Sequence, residues 1–152
     1  MSRAQDSVIR FFFDTAIFLY AVGDDHPYRN PCRRLVSLAS EGKLRGEASV
    51  ELLQEFVHVR WRSRGHREQA VREAADIAAV LFALHDLTQA DLRLALSLFG
   101  RTEGLSMRDA IHAGTALNRG VELIVSPDGH FDEVPGLTRI DPADAESFLM
   151  AP

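Results

Sequence analysis

One cysteine, Cys32, stands in 152 residues, so the chain can form no internal disulfide. That usage fits a reducing, intracellular compartment. Lysine is equally scarce: Lys43 is the only one, and the other sixteen of the 17 basic residues are arginine. The longest uninterrupted apolar run, Ile77 to Leu84, falls far short of the about 20 residues that a bilayer-spanning helix needs. The first residues carry Arg3, Asp6 and Arg10 and lack the apolar core and small-residue cleavage pattern of a secretory signal, so a cytoplasmic location is expected. Positive charge is in deficit. A formal net charge of -5 and a pI of about 5.6 argue against a bulk electrostatic nucleic-acid binder and leave room only for a local basic patch. There is no repeat, low-complexity tract or linker, and residues 1–152 read as a single domain. With 46% hydrophobic and 26% charged residues, the composition is that of a globular chain and excludes a disordered one.

What is present is a succession of short apolar runs with helical segments between them. Residues 8–13, VIRFFF, predict a buried strand ended by Asp14, and residues 15–22 a helix capped by Asp14 or Thr15. A helix is expected over 31–41, stopped by Gly42. A strand-like piece, Leu44 to Ala48, precedes Ser49, an N-cap for a helix of about a dozen residues. After an interruption at RSRGHRE, Glu68 to Leu84 predicts one long helix. Two capping-box patterns follow, Thr88 to Asp91 and Ser106 to Asp109, opening helices that end near Gly100 and at Gly120. Strands are expected at 121–126 and 137–140, with a turn at SPDG between them and a short helix opened by Pro142. Strands separated by helices point to an α/β fold with a parallel sheet covered on both faces and an inserted helical hairpin.

Four acids sit at structural junctions. Ligands of open parallel sheets bind beyond the carboxyl ends of the strands. Asp14 follows the first strand, and Asp128 follows the strand 121–126 through Ser126-Pro127. Glu55 and Asp109 lie on helices that follow loops. Each has a plainer explanation. Asp14 is also a good helix cap, Asp109 is the acid of a capping box, and Asp128 belongs to a Pro-Asp-Gly turn with Asp132 close by. On a helical wheel, the apolar residues from Val50 to Trp61 fill an arc of roughly 200°, and Glu55 falls at its edge beside Val59, where a carboxylate reaches a cleft. Small residues, Ala110, Ala113, Gly114 and Ala116, let the helix of Asp109 lie close to a neighbour. His112 lies near Asp109 on that helix and reads more readily as structural than as a ligand.

If these carboxylates converge, mutual repulsion raises their pKa values and favours binding a cation. All-oxygen donors point to Mg²⁺ or Mn²⁺ rather than Zn²⁺. Such an ion suits hydrolysis of a phosphodiester by an activated water. Positive charge for a nucleic acid is available in HVRWRSRGHR, with Arg60, Arg62 and Arg64, where Trp61 could stack on a base, and in Arg108 beside Asp109. Both could equally be solvated surface. Other acid-dependent readings fit less well. A phosphoacceptor receiver needs a lysine after a late strand, and Lys43 is early. A DxD phosphatase needs a second acid where Ala16 stands.

The segments FFFDTAIFLYA, SVELLQEFVHV, SMRDAIHAGTAL and IVSPDGHFDEVPGLTRIDP together resemble a PIN-domain ribonuclease, most closely the VapC-type toxins of bacterial toxin–antitoxin pairs. The resemblance runs from about residue 10 to 142. It implies an α/β/α sandwich with a central parallel sheet, and a catalytic and metal-binding set of Asp14, Glu55, Asp109 and Asp128, with Asp132 able to share the last role. Thr15 and Ser126 match small hydroxyl positions that support the site. Ala16 departs from a frequent asparagine. The family further implies Mg²⁺ or Mn²⁺ dependence, an RNA substrate, a cognate antitoxin and a homodimer. The alternative is a PIN fold that has lost catalysis and only binds RNA or protein.

Overall fold

The structure, a computed structural model, describes residues 8–151; Arg3 and Asp6 lie outside the described residues. Five short strands form one parallel sheet: β1 (Phe11–Phe13), β2 (Gly46–Ser49), β3 (Ala83–His85), β4 (Leu123–Val125) and β5 (Thr138–Ile140), in the order β3-β2-β1-β4-β5. The chain builds outward from β1 through β2 to β3, then crosses back to place β4 on the other side of β1. The pairing is in register at Phe12–Glu47 on one side and Phe12–Ile124 on the other. The direction of winding therefore reverses between β1 and β4, where an open parallel sheet forms its ligand crevice.

Helices cover both faces. Three consecutive phenylalanines make β1 a two-faced core strand, because neighbouring side chains on a strand point to opposite sides. Phe11 and Phe13 pack with Ile17, Phe18, Leu35, Leu52 and Phe56 beneath α1 (Thr15–Val22), α2 (Arg29–Ser40) and α3 (Val50–Arg64). Phe12 packs with Ala95, Leu98, Ala110, Ala113 and Ile124 beneath α5 (Gln89–Arg101) and α6 (Met107–Asn118). All three rings are fully buried. Room for them is made by omission: a Cβ on Gly46 would stand 2.1 Å from the Phe13 ring. On the other face, Gly114 lets α6 meet the backbone of α5, where a Cβ would lie 3.1 Å from Asp91 O and Ala95 N. The small residues of α6 thus serve a close helix packing.

Between β2 and β3 the chain forms a helical hairpin of α3 and α4 (Arg67–Val80). Gly65 turns the corner with φ +77°, in the left-handed region where glycine is favoured. Pro142 at the start of α7 (Pro142–Leu149) opens the last helix, capped by Asp141. Among the described residues, no helix is long and apolar enough to cross a membrane.

One expected element is corrected. The predicted helix over Glu68 to Leu84 ends at Val80, and Ala83–His85 is the edge strand β3. The run IAAVLFAL contains no glycine or proline to mark the break, and short apolar runs serve either structure. Pairing with β2 decides it.

Candidate active site

Asp14 holds the N-cap position of α1, yet its side chain makes no capping bond. Its backbone N–H donates to Val125 O across the sheet, and its Oδ2 accepts from Ser126 Oγ at 2.6 Å. The carboxylate is only 5% exposed. Burial raises its pKa, and the nearby His112 and the Ser126 bond only partly offset this. The aspartate was legible either as a cap or as a site residue, and its side chain has left the cap and turned toward β4.

Ser126 joins two of the acids. While its hydroxyl donates to Asp14, it accepts from the Asp128 backbone N–H at 3.0 Å. Asp128 caps a short 3₁₀ turn over Gly129–Glu133, accepting from His130 N at 2.9 Å. Its carboxylate also hydrogen-bonds with that of Asp109. The contact moves the two carboxyls in opposite directions. Burial, then the charges of Asp14 and Asp128, push Asp109 up to about 7. Burial would raise Asp128 too, but the His130 N–H and the bond with Asp109 hold it below its ordinary value. Asp109 receives only half of the predicted capping box. Ser106 Oγ accepts from its N–H at 3.1 Å, and the carboxylate points to Asp128. Thr88 and Asp91, with the same pattern, close their box in both directions.

Glu55 enters from α3, whose start is fixed by Ser49 accepting from Glu51 N. Its Oε1 accepts from Thr15 Oγ1 at 2.9 Å and from His112 Nε2 at 3.1 Å. Arg108 Nη1 stands 3.6 Å from Oε2. Burial pushes the Glu55 pKa up, but the His112 bond and charge, the Thr15 bond and Arg108 together hold it below its usual range. Thr15 and Ser126, the two hydroxyls expected beside the site, thus each bind one of its acids.

His112 is the residue that sequence reasoning set aside. It is 1% exposed and sits one turn after Asp109 on α6. Burial would lower its pKa, but the bond to Glu55 and the charges of Asp14, Glu55 and Asp109 raise it. Its Nδ1 has no hydrogen-bond partner among the described residues, so its polar contacts run through Nε2 toward Glu55 and Thr15. The i, i+3 spacing from Asp109 was the available signal.

Other expected residues stand apart. Asp132 gives both carboxylate oxygens to Arg139, at 3.0 and 3.2 Å, while Asp128 joins Asp109. Arg60 is corrected as an RNA contact: it is buried, and its guanidinium forks onto Glu73 with two 2.8 Å bonds. Arg64 pairs with the exposed Asp24. Arg62 and Arg108 remain exposed. The Trp61 ring carries the Arg67 guanidinium at 4.3 Å. Among the described residues, no group of three or more His, Cys, Asp or Glu side chains stands ready-made around one metal position. The carboxylates meet in pairs and through the hydroxyls of Thr15 and Ser126.

The profile of the PIN domain matches residues 11–137. The chain belongs to the PIN-domain family. Ribonuclease VapC7 of Mycobacterium tuberculosis is 32% identical over 129 residues, covering 85% of this chain and 89% of that protein, which places this PIN domain in the VapC group. Solved structures share the fold. VapBC2 from Rickettsia felis, bound to a DNA fragment from its promoter, superposes with a TM-score of 0.67 at 18% identity, covering 88% of this chain and 98% of that one. M. tuberculosis VapC20, described as a toxin cleaving the sarcin–ricin loop, gives 0.65 at 21% identity, covering 78% and 90%. The parallel sheet, the covering helices and the hairpin agree with the PIN-like α/β/α sandwich that the sequence resemblance implied.

Proposed function

We propose that this VapC-group PIN domain is a metal-dependent endoribonuclease and the toxin of a type II toxin–antitoxin pair. The observation that carries the reading is the gathering of Asp14, Asp109 and Asp128 at the carboxyl ends of β1 and β4, with Glu55 beside them. Burial and the charges of Asp14 and Asp128 raise the pKa of Asp109, as crowding of carboxylates does, and a bound cation would relieve that repulsion. Oxygen donors of this kind fit Mg²⁺ or Mn²⁺. Asp14, Asp109 and Asp128 would hold the ion, with Glu55 completing the set through the oxygen not already taken by Thr15 and His112. Bound there, it supplies an activated water and charge stabilisation for the phosphodiester.

This chain's own residues do the positioning. Ser126 fixes Asp14 and the backbone of Asp128 relative to one another. Thr15 and His112 orient Glu55 and keep it ionised. Asp109, raised to about 7, would have to lose its proton for its carboxylate to hold a cation. In the hydrolysis, a water oxygen would bond to phosphorus as the bond to the ribose 3′ oxygen breaks, with one proton lost by the water and one gained by the 3′ oxygen, leaving 5′-phosphate and 3′-hydroxyl ends.

The cognate antitoxin, a homodimer and a cytoplasmic location complete the proposal. Support comes from the VapC relatives and from neighbours solved as toxin–antitoxin complexes, such as one from Klebsiella pneumoniae. Purified protein freed of antitoxin should cut RNA with Mg²⁺ or Mn²⁺ and stop when EDTA is added. Asp14→Asn should abolish cutting while leaving the thermal melt and antitoxin binding intact. Antitoxin binding and RNA binding without cutting under any divalent cation would instead support the non-catalytic module.

A further inference from the structure

Two hollows flank α3, and Val59 and Ser63 line both. The larger, about 550 Å³, lies toward α1 and the loop after it. Asp24 and Asp25 are on its wall, and its two arginines are committed, Arg60 to Glu73 and Arg64 to Asp24. The smaller, about 450 Å³, lies on the other side of α3 and is completed by His58, Arg62 and Arg108. Among the described residues, no carboxylate lines it. Among the described residues, Arg62 makes no ion pair and Arg108 makes only the long 3.6 Å approach to Glu55. Glu55, His58 and Arg62 follow one stripe of α3 at i, i+3 and i+7, so the groove leads away from the acids for about 10 Å along the helix.

We infer that this groove is the binding track for single-stranded RNA on one side of the cleavage site, with Arg108 and Arg62 each meeting a backbone phosphate. The inference rests on the ribonuclease reading and adds the path of the strand. A polyanion is repelled by the aspartates of the α1-side hollow. It is attracted by two exposed guanidiniums, Arg62 and the loosely paired Arg108, which match phosphate oxygens in forked geometry. The position of Arg108 beside Glu55 puts the first phosphate contact next to the carboxylates, and Arg62 continues the line outward.

The test is the salt dependence of binding. Antitoxin-free protein carrying Asp14→Asn, which blocks cutting, is titrated with a fluorescent 12-nucleotide RNA at several salt concentrations. Each phosphate contact on a single strand contributes about 0.7 to the slope of log affinity against log salt. Arg62→Gln should lower the slope by about 0.7, and Arg62→Gln with Arg108→Gln by about 1.4. Arg64→Gln, on the opposite hollow, should leave it unchanged. Thermal melts confirm that the variants fold, as expected for exposed side chains. A double variant with the full slope, or a loss in Arg64→Gln alone, overturns the assignment. Failure of the wild-type chain to cut RNA with Mn²⁺ would strike the ribonuclease reading and leave this binding result to stand or fall separately.

Discussion

Glu55 stays ionised in a half-buried position because Thr15 and His112 both donate to the same carboxylate oxygen. His112 is therefore a positioning residue, and its removal should act through Glu55. His112→Leu is expected to lower kcat for RNA cleavage about 10- to 100-fold, as loss of a hydrogen bond behind a metal-facing ligand does, with KM little changed. His112→Gln, which keeps an N–H donor, should recover part of the loss. Equal defects in both variants would show that only packing matters at this position. Asp109 gives a pH signature. Its unfolded carboxyl ionises near the ordinary 3.8, and the folded one holds its proton up to about 7. The folded chain thus binds the extra proton between those values, so the contribution of Asp109 to stability falls as pH rises through that window. A cation that needs the ionised carboxylate gains over the same range. Titration calorimetry should find Mn²⁺ binding about fivefold tighter at pH 7 than at pH 6 and levelling above, and this dependence should flatten in Asp109→Asn. Unchanged affinity from pH 6 to 8 in the wild-type chain would contradict the assignment. The acids at the strand ends were legible in the sequence because junction position and residue type coincide. His112 was not, because a lone histidine on a helix carries no pattern that separates packing from site support.

At the scale of elements, identical sequence patterns end differently. Thr88–Asp91 and Ser106–Asp109 both announce a capped helix, and both helices start there. Asp91 closes its box and also takes Asn118 and Arg119 into a buried network, whereas Asp109 gives its carboxylate to the site. Local pattern fixes the start of a helix; tertiary surroundings decide what the side chain does afterwards. The same limit hid β3, whose apolar residues continue those of α4 without a breaker and become a strand only by pairing with β2. Arg60 shows the cost of reading charge without depth. It ties α3 to α4 through Glu73 and is buried there. Arg60→Ala should destabilise the chain by about 3 kcal/mol, because it leaves Glu73 partly buried and unpaired. Urea unfolding measures the loss, and affinity for RNA at a temperature where the variant is folded should stay at the wild-type value. A variant of full stability with weakened RNA binding would return Arg60 to the RNA surface.

At the scale of the whole molecule, charge and topology divide the labour. The chain is acidic overall, yet residues 58–72 hold five arginines against the single Glu68. The composition argued against a bulk basic binder and could not show which of these arginines face outward. Topology supplies what composition cannot. Because the winding reverses between β1 and β4, residues 112 positions apart, Asp14 and Ser126, come within a 2.6 Å hydrogen bond at one end of the sheet. The fully buried phenylalanines of β1 anchor the strand that ends at Asp14. The central claim is that these acids direct a metal-activated water onto an RNA phosphodiester. Mapping the termini of RNA cut by the antitoxin-free chain with Mn²⁺ tests it most directly: 5′-phosphate and 3′-hydroxyl ends are predicted, absent with Asp14→Asn, and 2′,3′-cyclic phosphate ends or undiminished cutting in EDTA would contradict it.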